Sequence, residues 1–400
     1  MRADVDRKAM AALSSGHLAT DFAGGALPAL LPFFVDRFSL SYTLAAVLIL
    51  ASTVSSSIVQ PLFGLWSDRH GALWLLPAGV ALAGIGIALA ADASSYPLAI
   101  VLIVISGLGV AAYHPEGSKF AAYASGAKRA SGMSYFNIGG NLGYALGPLL
   151  ATPLLVAFGP RGGLLLVLPS LAIAAFLVRV SPYLGRFAPE PGARATRDGV
   201  DRPGAMAILL GLVAFRTSAW FGLLTFVPLW EVHLGHSKAE GGRLLALMLL
   251  AGGLGTLVLG PLADRVGRRT VLFGSVTAMP PLVLVFVAVG GIPGAVALAI
   301  LGACVVGTFG VAMVLAQDYM PRHIGLASGL SVGFALGLGG IAAVVLGTVA
   351  DAVGLKTALY ACAAVPVAGI VLAALLPRPS GGLVGSAPPI VDEEGSWQRA

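Results

Sequence analysis

The chain has 400 residues, 57% hydrophobic and only 10% charged, where an ordinary soluble domain carries about 25% charged residues. A mean hydropathy of +0.91 excludes a soluble globule with a wet surface, so lipid has to be the solvent for much of the exterior. The net charge of +6 does not imply nucleic acid, because the basic residues fall between apolar runs, where membrane topology accounts for them.

A membrane-crossing helix needs about 20 apolar residues, and twelve candidate spans follow in chain order. The first six cover residues 10–36, 42–65, 72–91, 97–118, 130–157 and 161–180. The second six cover 204–230, 242–262, 270–290, 293–318, 325–350 and 357–376. Residues 181–203, SPYLGRFAPEPGARATRDGVDRP, are polar, basic and Pro-rich and read as a linker. The expected organisation is a six-helix bundle over 1–180, a cytoplasmic linker over 181–203, a second bundle over 204–376 and a disordered tail over 377–400. The charged opening MRADVDRKAM precedes an apolar run long enough to span, so no cleaved leader is expected. Cys304 and Cys362 lie inside apolar runs and read as reduced core residues, with no disulfide and no metal expected.

With the N-terminus inside, 18 of the 24 Lys and Arg residues fall in inner segments. Only Arg37, Arg161, Lys238, Arg243 and Lys356 fall outside, and Arg216 lies within a span. This bias predicts both termini in the cytoplasm and an even number of crossings. The chain also repeats: GLWSDRHG at Gly64–Gly71 returns as GPLADRVG at Gly260–Gly267, and ASGMS at 130–134 returns as ASGLS at 327–331. Two like-oriented halves with a pathway between them are therefore expected. In the paired loops, Gly64, Gly71, Gly260 and Gly267 permit tight turns. Asp68, Arg69, Asp264, Arg265, Arg268 and Arg269 are placed to pair with one another or with helix ends, as gate loops on the cytoplasmic side.

Ionisable groups inside spans are costly and mark a pathway or relay. Asp21 lies about ten residues into the first span, about 15 Å deep at 1.5 Å per residue, with His17 one turn earlier on the same face. The fourth span ends in AAYHPEGSKF, where His114 and Glu116 flank the helix-breaking Pro115. The seventh carries Arg216 in AFRTSAWF, with Trp220 one turn beyond; Trp230 reads as an interfacial anchor. The tenth ends in AQDYMPRH, with Gln317 and Asp318. Charges thus select spans one, four, seven and ten, as expected if the first helix of each three-helix unit lines a central cavity. His17, Asp21, His114 and Glu116 are candidate proton-coupling residues, since histidine titrates near neutrality. Arg216 is the candidate anion site, because its planar fork matches the oxygens of an anionic group. In the fifth span, Gly139, Gly143 and Gly147 recur every four residues as a close-packing stripe. Asn137 and Asn141, one turn apart on the same span, either face substrate or bridge helices.

The doubled G-x-x-x-D-R-x-G loop resembles the signature loop of the major facilitator superfamily. The segments HLATD, YHPEGSKFAAYASG, NIGGNLGYALGPLLA, RTSAWFGLLTFVPLW and QDYMPRHIGLASGLSVGFALGLGGI resemble the fosmidomycin resistance family within it. Family members more often carry Glu where this chain has Asp318. The resemblance implies an all-α integral membrane fold of twelve transmembrane helices in two pseudo-symmetric halves. It further implies proton-coupled efflux of small molecules, phosphonates among them, by a monomer in the bacterial inner membrane. A small-molecule substrate, protons and the lipid bilayer are the expected partners. With no Walker pattern, no nucleotide cofactor and no enzymatic step are expected. A uniporter or proton symporter on the same fold, or a receptor or scaffold with a dead pathway, are the competing readings.

Overall fold

The computed structural model describes residues 4–70, 72–126, 128–187, 200–323, 326–327 and 330–378. Among these, every regular element is helical. The first half of the chain forms α1 (Arg7–Phe38), α2 (Tyr42–Ser57), α3 (Gln60–His70), α4 (Leu75–Ala91), α5 (Tyr96–Ala124), α6 (Arg129–Phe158) and α7 (Val167–Leu184). The second half forms α8 (Pro203–His233), α9 (Lys238–Val266), α10 (Arg268–Ala288), α11 (Gly291–Gly307), α12 (Phe309–Tyr319), α13 (Ala335–Val353) and α14 (Leu355–Leu375).

Local chemistry sets the helix ends. Asp6, Ser41, Ser95 and Ser237 sit at N-caps and accept from backbone N–H groups inside the first turn. Ser237 and Glu240 cap each other's backbone reciprocally. Gly267 (φ 95°) alone separates α9 from α10, and Gly354 (φ 97°) alone separates α13 from α14. Turns this short need a left-handed residue, which only glycine adopts without strain.

Ten segments are long and apolar enough to cross a membrane. One of them, Gly132–Phe187, runs 56 residues and turns back at Gly159 (φ 63°) through a 3₁₀ stretch, Gly159–Leu166. It therefore supplies two crossings. The 17-residue α4 supplies another, at about 25 Å a short one. Twelve crossings result.

Three spans differ from the uninterrupted helices expected. The second breaks between Ser57 and Gln60. The tenth breaks at Thr308 (φ −100°, ψ 3°). The eleventh contains a π-helical turn, Leu330–Phe334, ahead of α13. Of the residues read as linker, those through Phe187 remain helical and 188–199 lie outside the described residues. Asp201 and Arg202 are fixed: Asp201 accepts from the Arg322 backbone at 3.0 Å, and the Arg202 backbone donates to Tyr319 at 2.7 Å. Of the tail, Pro377 and Arg378 are tied to Tyr319 and Arg202, and 379–400 lie outside the described residues.

Burial divides the bundle. The most apolar windows of α1 and α8 are 72% and 61% buried, against 28–50% for the other long spans, which makes these two the central long helices; the short α4 is likewise mostly buried. The other spans turn Val101, Val156, Phe176, Leu254, Val296 and Val371 outward, an apolar surface suited to lipid. The predicted glycine stripe on α6 is what lets it reach α1. A Cβ at Gly139, Gly143 or Gly147 would run into the backbone of Ser14, Leu18 or Gly25–Ala26 respectively.

Candidate functional site

The α1–α6 contact brings three elements to one polar cluster. His17 and Asp21, one turn apart on α1, meet with His17 Nε2 3.2 Å from Asp21 Oδ2. His114 arrives from α5, its Nε2 3.1 Å from the other carboxylate oxygen, Oδ1. α6 closes the back. The Phe136 ring stacks on His17 at 4.1 Å, and the Phe136 carbonyl accepts from His17 Nδ1 at 2.9 Å. His114 Nδ1 donates within its own helix to the Val110 carbonyl at 3.0 Å. Tyr113, fully buried, packs against both histidine rings and donates its hydroxyl to the Leu13 carbonyl. A Cβ at Gly140 would stand 2.5 Å from His17 Nε2 and 2.7 Å from Asp21 Oδ2, so only glycine leaves the cluster its room.

The chemistry follows from the acceptors. Both ring Nδ1 atoms face backbone carbonyls, so both carry protons, and both Nε2 atoms then face the carboxylate. Each nitrogen–oxygen contact is attractive only while it contains a proton. The two contacts together hold two protons when fully hydrogen-bonded. The side chains of Asp21 and His114 keep 21% and 22% of their exposure, enough for solvent to reach them.

Glu116 is not part of this cluster. Two residues along a helix turn about 200°, so His114 faces α1 while Glu116 faces α3. Glu116 is buried, accepts from the Ser67 hydroxyl and pairs with Lys119 Nζ at 2.8 Å. It thus braces α5 against the helix carrying the first repeated loop. The side chains of Asp68 and Arg69, and the whole of Gly71, lie outside the described residues; a Cβ at Gly64 would meet Pro115 at ordinary contact distance.

The second repeated loop is tied to two helix ends. Arg268 reaches Asp318, at the end of α12, with Nη1 2.5 Å from Oδ2, and lies 3.8 Å from Asp264. Arg269 donates to the Ala374 carbonyl at the end of α14. Arg265 is exposed, and Gly260 stands in open space. Asp318 is therefore joined to the gate loop, and it does not line the cavity beside Arg216; Gln317 beside it is half-buried.

Arg216 is buried on α8, and among the described residues no carboxylate pairs with it. Its Nη1 donates to Thr308 Oγ1 at 2.8 Å, at the break between α11 and α12. Its Nε has no hydrogen-bond partner, nor has the hydroxyl of Ser331 in the π-helical turn. Both residues line a cavity of about 10 Å³ with Val213, Phe309, Ala312 and Met313, room for about one water. The broken tenth span and the π turn in the eleventh are what open it. Thr308 and Ser331 were not singled out from the sequence. Gly307 and Gly310 flank Thr308, but glycines are common throughout the spans and do not mark this one.

Trp220 is buried in the core beside this cavity's helix without lining it. Trp230 is also buried and stacks on His233 at 5.6 Å, so it is a packed core residue and not the interfacial anchor expected. Asn141 donates to Thr256 Oγ1 at 3.3 Å, bridging α6 to α9, while Asn137 is half-buried. Cys304 and Cys362 are both free thiols.

A lipid-facing bundle with central helices, broken spans and ionisable groups held between helices defines a polytopic membrane transporter. The model of the Major Facilitator Superfamily matches residues 13–344 and also residues 210–390, and the chain belongs to that superfamily. Its relatives include the uncharacterised MFS-type transporter YfnC of Bacillus subtilis (strain 168), 34% identical over 90% of both chains. The fosmidomycin resistance protein of Escherichia coli (strain K12) is 31% identical over 90% of this chain and 91% of its own. Among solved structures, a bacterial homologue of the human lysosomal transporter Spinster superposes with a TM-score of 0.72. It is 16% identical and covers 92% of this chain and 96% of its own, and it shares the fold.

Proposed function

We propose that this transporter expels small molecules from the bacterial cytoplasm in exchange for protons, by alternating access between bundles spanning 1–180 and 204–376. The observation that carries the reading is the His17–Asp21–His114 cluster. It is a half-buried acid with a histidine on each oxygen, its two contacts needing two protons, and its partial exposure leaves it open to solvent. Asp21 is the proton carrier, and the two histidines pass protons to it. Arg216 receives an anionic group, a phosphonate among the candidates. Support for that assignment is its unpartnered Nε, the neighbouring unpartnered Ser331 hydroxyl and the relative named for fosmidomycin resistance. The present cavity is too small for such a group, so binding requires α12 and the π turn to move apart. Asp318, Arg268 and Arg269, with the matching first loop, form the gate at the end where both termini lie, which the distribution of Lys and Arg places in the cytoplasm. The transporter works as a monomer in the inner membrane.

The test is a drug-susceptibility panel, phosphonates included, in an efflux-deficient bacterium expressing the wild type or Asp21→Asn. It is paired with transport into inverted vesicles under a preset pH gradient. Resistance conferred by the wild type and lost in Asp21→Asn, with gradient-driven movement outward from the cell, supports the reading. Movement inward with the gradient makes the protein an importer. Movement that ignores the pH gradient makes it a uniporter, and no movement of any compound leaves a receptor or scaffold.

A further inference from the structure

We propose that the His17, Asp21 and His114 side chains form a binding site for a divalent transition-metal cation of the Zn²⁺ class. One ligand atom from each residue lies within 4.8 Å of the others. The two nitrogen–oxygen separations, 3.2 Å to Oδ2 and 3.1 Å to Oδ1, are each close to the roughly 3.3 Å that separates ligand atoms around a tetrahedral ion with bonds of about 2.0–2.1 Å. Because the histidines face different oxygens, the side chains have to turn for one ion to take all three.

Three further features fit a metal. Both rings donate Nδ1–H to a backbone carbonyl, Phe136 for His17 and Val110 for His114. That is the outer-shell hydrogen bond that turns the Nε2 lone pair toward an ion and fixes the ring. Gly140 leaves open the space beside His17 Nε2 and Asp21 Oδ2 that a Cβ would fill. The partial exposure of Asp21 and His114 gives an ion an entry path and a position for a water as fourth ligand. Two imidazoles and one carboxylate suit Zn²⁺, Co²⁺ or Ni²⁺ and disfavour Mg²⁺ and Ca²⁺, which take oxygen ligands. The ion would clamp α1 to α5, since His17 and Asp21 belong to one and His114 to the other.

The experiment uses the full chain in detergent with any purification tag removed. Zn²⁺ binding is measured by titration calorimetry, and Co²⁺ binding by visible absorption. One ion per chain is expected, with affinity falling at least about tenfold in Asp21→Asn and in His114→Gln, and unchanged in His236→Gln and His323→Gln. Those two controls matter because His236–Glu231 and His323–Asp201 are the other histidine–acid pairs seen. Co²⁺ should give the intense bands of a four-coordinate site. Absence of binding, equal affinity in the cluster variants, a loss that follows His236 or His323, or the pale spectrum of a six-coordinate ion each overturns the proposal. If a cluster variant fails to fold, the Co²⁺ spectrum of the unaltered chain still decides. Binding is read with no gradient and no substrate, so a negative result leaves the transport reading standing.

Discussion

Asp21 gives one oxygen to each of two histidines, so exchanging it for Asn replaces an acceptor with a donor and leaves one ring nitrogen without its partner. The Asp21→Asn protein is expected to fold, with stability changed by about 1 kcal/mol, and to lose pH-gradient-driven efflux by an order of magnitude or more. Transport and thermal melting of the same preparation separate the two effects. Arg216 calls for the opposite balance. A buried cation without a carboxylate partner burdens the fold, and here, among the described residues, the guanidinium donates to Thr308. Arg216→Met should therefore leave the melting temperature unchanged or raise it while abolishing transport of anionic compounds. Thr308→Val keeps the charge and removes its partner, and should lower stability by about 1–3 kcal/mol. If Arg216→Met unfolds the protein, the arginine is structural and the anion-site assignment falls.

At the scale of helices, α1 and α6 touch backbone to backbone because Gly143 and its neighbours lack side chains. Gly143→Val would drive a branched side chain into the Leu18 carbonyl. A loss of about 1–3 kcal/mol or more is expected from such overpacking, whereas the same change at Gly260, which stands in open space, should be nearly silent in a melting assay. Beyond the end of α8, His236 Nδ1 lies 2.6 Å from Glu231 Oε2, and this hydrogen bond raises the His236 pKa above its ordinary value. A raised pKa means the contact's stabilisation is whole below the ordinary histidine range and fades as pH rises through the raised value. Histidine titration by NMR should show the upward shift and its disappearance in Glu231→Gln. What the sequence made legible at this scale follows the same physics. Span positions could be read because apolar length reports the solvent, and the His17–Asp21 pair because residues four apart share a helix face. The parting of His114 from Glu116 was also implicit in the helical turn, but reading the segment as one acid–base group hid it. The breaks near Ile58 and at Thr308 were not legible. Mean hydropathy reports the length of a span and not where its helix stops, and at Thr308 the stop involves a side-chain hydroxyl that donates to the Cys304 carbonyl at 2.7 Å and accepts from Arg216.

Across the whole molecule, among the described residues and apart from the Asn141–Thr256 bond inside the bundle, polar contacts between the two halves of the chain gather at the end away from the termini. Asp351, at the end of α13, accepts from the Tyr42 and Thr43 backbone at 2.8 and 2.9 Å and from the Thr43 hydroxyl at 2.5 Å, holding the start of α2. Lys238 pairs with Asp36 and lies 4.7 Å over the Phe33 ring. Gly347 packs on the Thr43 backbone and Gly242 on Thr152. The mouth at this end is thus zipped, while the Arg268–Asp318 and Glu116–Lys119 pairs at the other end each stay within one half. If the halves rock against each other as proposed, the Asp351 contact has to unzip in every cycle. With Cys304 and Cys362 replaced by Ser, a Thr43→Cys, Asp351→Cys protein treated with a short bifunctional thiol reagent should therefore stop transporting, and cleavage of a reducible linker should restore the rate. Each single cysteine variant under the same reagent controls for loss of the cap itself and should keep transporting. Should the doubly substituted protein, shown by mass to be fully cross-linked, carry substrate at the uncross-linked rate, this mouth does not open during the cycle and the two halves do not alternate about it.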